Sequence, residues 1–103
     1  IADMPSNVSK NKFVIPNRII LLQNYPNPFN PKTAIRFDIP ELTFITVKVF
    51  DILGNEIKTL VNEEKQTGSY EVEFEGTGLP SGIYFYQLIS ANYSQTKKMI
   101  LMK

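Results

Sequence analysis

The sequence predicts an all-β chain folded as a single antiparallel β-sandwich of about seven strands, and three observations carry that expectation. Apolar and polar residues alternate at period 2 through much of residues 33–102, the mark of strands with one buried and one wet face. Gly, Pro and Asn punctuate the chain roughly every 8 to 12 residues, the spacing of turns in a sandwich. No long window carries a helical apolar stripe. A length of 103 residues with 43% hydrophobic content suits one compact core and is short for two.

Residues 1–18 mix Asn, Ser, Lys and Pro around the apolar patch Phe13-Val14-Ile15 and read as a linker from an upstream domain; the folded domain is expected over 19–103. Ile19 to Leu22 is a short apolar run. Asn24 to Pro31 follows, where Pro26, Pro28 and Pro31 remove ladder donors, so this segment is expected to be an ordered loop. Ile35, Phe37 and Ile39 then oppose Arg36 and Asp38 until Pro40 ends the strand. Ile45, Val47 and Val49 oppose Thr46 and Lys48 in the next one. Between Asp51 and Glu56, Gly54 can supply the positive φ of a tight reversal, which makes a hairpin. Glu56 to Val61 reads as a short strand and Asn62 to Gly68 as a polar turn. Tyr70, Val72 and Phe74 alternate cleanly with Glu71, Glu73 and Glu75. Gly76 to Gly82 is a second reversal, Ile83 to Ile89 an aromatic-rich strand, Asn92 a turn and Gln95 to Met102 the last strand.

One local pattern narrows the sandwich to an immunoglobulin-like one. A tyrosine corner places a Tyr near the start of the sixth strand, with its hydroxyl bonded back to nearby backbone. Tyr84 follows the Gly82 turn in that position, and Tyr86 stands where immunoglobulin domains carry the second Cys.

Composition excludes several classes of function. A net charge of +1 gives no basic field for nucleic-acid phosphates. The apolar runs are far shorter than the roughly 20 residues of a membrane-spanning helix. With no Cys and no His, thiolate metal sites, disulfides and the commonest general base are all absent, so an autonomous enzyme is not expected. The chain starts at Ile1 without an export signal and reads as a fragment of a longer protein.

Candidate chemistry reduces mostly to structure. The spacing of Glu71, Glu73 and Glu75 puts them on one outer strand face with no opposing carboxylates, so it describes a solvated stripe rather than an acid–base pair. Asp38, Asp51 and Glu56 lack the spacing of a calcium loop. Gly76-Thr77-Gly78 precedes no helix that could aim amides at a phosphate. Neither a metal, a cofactor nor a small-molecule substrate is expected. Phe44, Phe50, Tyr84, Phe85 and Tyr86 could serve as core or, where exposed, as a stacking platform for a sugar ring. The triplets Asn7-Val8-Ser9 and Asn92-Tyr93-Ser94 match the glycosylation pattern, a match common by chance. The ending Lys97-Lys98-Met99-Ile100-Leu101-Met102-Lys103 reads equally as a terminal strand with solvated lysines and as a peptide presented to a receptor.

Taken in order, these motifs resemble the type IX secretion C-terminal sorting domain, also called the Por secretion system sorting domain. The resemblance runs from Leu22-Gln23-Asn24-Tyr25-Pro26-Asn27-Pro28-Phe29-Asn30-Pro31 through Thr33-Ala34-Ile35-Arg36-Phe37 and Val47-Lys48-Val49-Phe50-Asp51-Ile52-Leu53-Gly54. It continues in Leu79-Pro80-Ser81-Gly82-Ile83-Tyr84-Phe85-Tyr86 and closes with Lys97 to Lys103. Phe50 stands where the family more often has Tyr. The resemblance implies a tag on a larger cargo protein, recognised in the periplasm by the type IX translocon, carried across the outer membrane and removed by a sortase-like peptidase. The cargo would then be released or held at the cell surface. It points to Lys97 to Lys103 as the segment that contacts the translocon, as a chain end able to add to a partner's sheet edge. The alternative is an accessory module that binds polysaccharide or scaffolds a neighbouring catalytic domain.

Overall fold

The structure, a computed structural model, describes residues 18–103. The expected linker therefore lies, apart from Arg18, outside the described residues, as does the triplet at Asn7. Among the described residues there is no helix. There are seven strands: β1 (Ile20–Leu21), β2 (Lys32–Ile39), β3 (Thr43–Phe50), β4 (Glu56–Lys65), β5 (Gly68–Glu75), β6 (Gly82–Ser90) and β7 (Tyr93–Leu101). They pair antiparallel into two sheets ordered β1-β2-β5 and β4-β3-β6-β7. This is the all-β antiparallel sandwich that the alternation predicts.

The period-2 residues fill the space between the sheets. Ile35, Phe37 and Ile39 of β2 face Ile45, Val47 and Val49 of β3, Tyr84, Tyr86 and Leu88 of β6, and Met99 and Leu101 of β7 across a single core. Each large apolar side chain so enclosed contributes about 1.5–3 kcal/mol. That burial holds the fold without any disulfide.

One boundary differs from the expectation. β4 runs on through Asn62, Glu63 and Glu64 to Lys65, so the expected polar turn over 62–68 contracts to Gln66 and Thr67. Pairing with β3 overrides the polar composition, in the register Thr43↔Lys65 to Val47↔Val61. Those polar side chains lie on a sheet edge in water. Register shifts at Val47/Lys48 and Val49/Phe50 also leave Leu60 and Ile57 without opposite numbers, which blurs the alternation in this strand.

The β3–β4 reversal is built by Asp51 and Gly54. The Asp51 carboxylate accepts from the amides of Leu53 and Asn55, both at 2.9 Å, while Gly54 adopts φ +88°. Those bonds, Asn55's foremost, hold the Asp51 carboxyl below its ordinary value. Gly82 has φ +152° where the chain enters β6, a conformation that side chains other than Gly rarely adopt.

Candidate recognition site around the terminal strand

Lys97 to Leu101 form the last part of β7, with Met102 and Lys103 just beyond it. Alternation divides this segment between two tasks. Met99 and Leu101 are fully buried in the core. Lys98, Ile100 and Met102 lie on the opposite side, and Lys97 is half-buried at the rim, where it lines a groove of about 730 Å³ with Arg18, Ile19, Leu21 and Tyr93.

The edge of this strand is closed. β7 is the outermost strand of its sheet, which leaves every second backbone amide and carbonyl pointing away from β6. The proline-rich loop meets those groups one after another. The Gln23 side chain donates to the Lys98 carbonyl at 2.8 Å, and the Ile100 amide donates to the Asn27 side chain at 2.9 Å. The Phe29 amide donates to the Ile100 carbonyl and the Met102 amide to the Phe29 carbonyl, both at 2.9 Å, a short parallel bridge. The expectation of a terminal strand free to extend a partner's sheet along 97–103 is therefore corrected for Lys98 to Met102. Of these four bonds only the one from Phe29 needs a backbone amide in the loop, a role that Pro26, Pro28 and Pro31 could not fill.

The loop itself is anchored in the core. Phe29 is 1% exposed and packs edge-on against Phe74, with centroids 6.0 Å apart. Asn24, also buried, donates from its side chain to Thr33 Oγ1 and to the Pro26 carbonyl, and Thr33 Oγ1 donates to that same carbonyl. Tyr86 completes the anchor. Its hydroxyl accepts from the Asn24 amide at 2.8 Å and donates to the Leu22 carbonyl at 2.7 Å. Burial disfavours the phenolate and pushes the Tyr86 pKa up to about 12, although the Asn24 amide opposes this in part.

Tyr84 makes the tyrosine-corner bond, its hydroxyl donating to the Pro80 carbonyl four residues back at 2.6 Å. Tyr70 repeats the device with the Gln66 carbonyl at 2.6 Å. The sequence puts Tyr86 at the position of the immunoglobulin second Cys without separating core from exposed aromatics, and it signals neither the bonds of its hydroxyl nor Asn24, Thr33 and Phe29 as anchors. A lone Phe between Pro28 and Asn30 in an otherwise polar loop was the available signal.

The remaining candidates sit apart. Glu71, Glu73 and Glu75 line the outer face of β5 opposite Arg36, Ala34 and Lys32. No cluster that could hold a metal ion occurs among the described residues. Of the five aromatic residues considered as a platform, Tyr84 and Tyr86 are core, Phe50 and Phe85 are cross-strand neighbours on the outer face, and Phe44 lies at the far end of β3.

Two packed sheets, a tyrosine corner and a loop-closed terminal strand define an immunoglobulin-like β-sandwich. The chain belongs to the family described as the secretion system C-terminal sorting domain, whose model matches residues 23–102, from the loop through the last strand. The fold is also that of part of a solved protein, dimeric latent PorU from Porphyromonas gingivalis. The likeness has a TM-score of 0.64 at 16% identity and covers 82% of this chain and 9% of that one, so the chain spans about a tenth of that protein's length. Among curated proteins none matches. The role that the family carries is sorting in type IX secretion, with cargo bound for the cell surface or the medium.

Proposed function

We propose that this chain is the sorting signal of a larger cargo protein. Residues 19–103 form the recognised unit, and residues 1–18 link it to the cargo. The cargo passes through the periplasm, where translocon components engage the segment Lys97 to Lys103, and a sortase-like peptidase then removes the domain. The observation that carries this reading is the family match over residues 23–102, which includes both the loop and the strand it closes. The site geometry supports a recognition role over a chemical one, because what converges there is backbone, amide side chains and apolar surface.

The test needs care, because deleting Lys97 to Lys103 also removes Met99 and Leu101 from the core. The full chain is fused behind a periplasmic reporter that carries its own inner-membrane export signal, in a bacterium with a type IX system. The reporter is expected at the surface or in the medium. A reporter that stays in the periplasm, while an established sorting domain delivers it, overturns the proposal. Within a working fusion, Lys97→Glu/Lys98→Glu/Lys103→Glu is expected to reduce delivery while leaving the melting temperature near that of the parent.

A further inference from the structure

The closed edge of β7 leaves its outward face, and that face is part of a larger apolar surface. On the outside of the four-stranded sheet, register places Phe50 beside Phe85 and Ile83 beside Ile100. None of the four belongs to the enclosed core. At the same pole Ile52 is 66% exposed, Leu53 83% and Met102 58%. A notch of about 330 Å³ opens between the Asp51–Asn55 turn and the Pro80–Tyr84 segment, with Ile52, Leu53 and Ile83 in its lining. The enclosed core makes no use of the Ile52 and Leu53 side chains. The turn they occupy is shaped by the Asp51 carboxylate and by Gly54, and polar residues would serve between them equally well. Contiguous exposed apolar groups of this kind mark an interaction surface.

The charges around the patch indicate what covers it. Lys98 stands on the sheet face opposite Phe85, and the Lys103 amide is tied to Ser81 Oγ at the notch. Neither lysine has an ion-pair partner among the described residues, whereas Lys48 on the same face is paired with Glu56 at 3.1 Å. The Asp51 carboxylate is occupied by its own turn. Those bonds keep Asp51 ionised, but among the described residues it is the one acidic side chain lining the notch. The side chains of Lys98 and Lys103 outnumber it, so the side-chain charge around the patch is net positive. Two copies of one patch carry the same net charge, which disfavours self-pairing.

We infer that this pole docks on a protein of the secretion machinery that presents an apolar ridge ringed by carboxylates, with Ile52 and Leu53 as the side chains that seat in it. The inference rests on the sorting reading above. It shifts recognition from the strand edge to a composite face that includes a turn distant in sequence from the terminal segment.

The same reporter fusion tests it. Ile52→Ser/Leu53→Ser changes only exposed side chains and is expected to keep the parent's melting temperature while lowering surface delivery about tenfold, with reporter accumulating in the periplasm. Glu71→Ser/Glu73→Ser on the opposite sheet is expected to deliver normally. If the double variant melts lower than the parent, Leu53→Ser alone is read in its place. Normal delivery by the turn variant, beside a working parent fusion, overturns the inference and leaves the sorting reading standing. Failure of the parent fusion itself overturns the sorting reading and this inference with it. Sedimentation of the purified full chain is expected to show a monomer. A dimer that Ile52→Ser/Leu53→Ser dissociates would assign the face to a second copy and overturn the inference.

Discussion

The Tyr86 hydroxyl satisfies a buried amide at Asn24 and the carbonyl of Leu22, so its loss leaves two backbone groups without protein partners. Tyr86→Phe is expected to cost about 1–3 kcal/mol, read as a lower urea midpoint at an unchanged slope. The same hydroxyl sets an alkaline limit. Its pKa rises from 10.0 to about 12 on folding, so the folded state prefers the protonated form. That preference is fully present below pH 10 and is lost as pH climbs through 12. Urea midpoints across this range should fall less steeply for Tyr86→Phe than for the parent. Period and turn chemistry made Tyr84, Gly54 and the core residues legible in the sequence. The partners of Tyr86 were not legible, because they lie 62 and 64 residues away and no local pattern encodes them.

Among the elements, β7 and the loop that closes it behave as one unit. The Ile100 amide is held by the Asn27 side chain and the Met102 amide by the Phe29 carbonyl. Asn27→Ala is expected to speed hydrogen exchange at Ile100 while the amide of Met102 keeps most of its protection, which amide-resolved exchange can read. Equal protection at Ile100 in both proteins would show that the Asn27 bond contributes nothing to closure. The prolines announce an irregular segment, and residues 24–31 belong to no strand. What they concealed is that the residues between them act as a short strand along β7, since the single bridge at Phe29 leaves no alternation to detect. β4 failed in the opposite way. Its polar second half resembles a turn, and only the partner strand makes it extended.

At the scale of the whole molecule, Phe29 joins the loop, β5 and β7. Its ring meets Phe74, and its backbone bonds Ile100 and Met102. Phe29→Ala is expected to cost about 3–5 kcal/mol and to lower one cooperative transition rather than release the loop alone. Coincident melting by circular dichroism and tyrosine fluorescence checks this, and a separate early phase in either signal would contradict it. The bonds from Gln23 and Asn27 to β7 span 75 and 73 residues, nearly the full described length. Chains dominated by such distant pairings fold slowly, because loop closure must precede the contacts that reward it. A ribosome extends this chain from its N-terminal end, so the proline-rich segment emerges long before the strand that it will grip. Until Lys98 to Met102 have been synthesised, the loop has nothing to close upon and the sandwich lacks Met99 and Leu101. The native state is therefore reached only once Lys98 to Met102 have left the ribosome, and the early part of the chain waits on the late part for its shape.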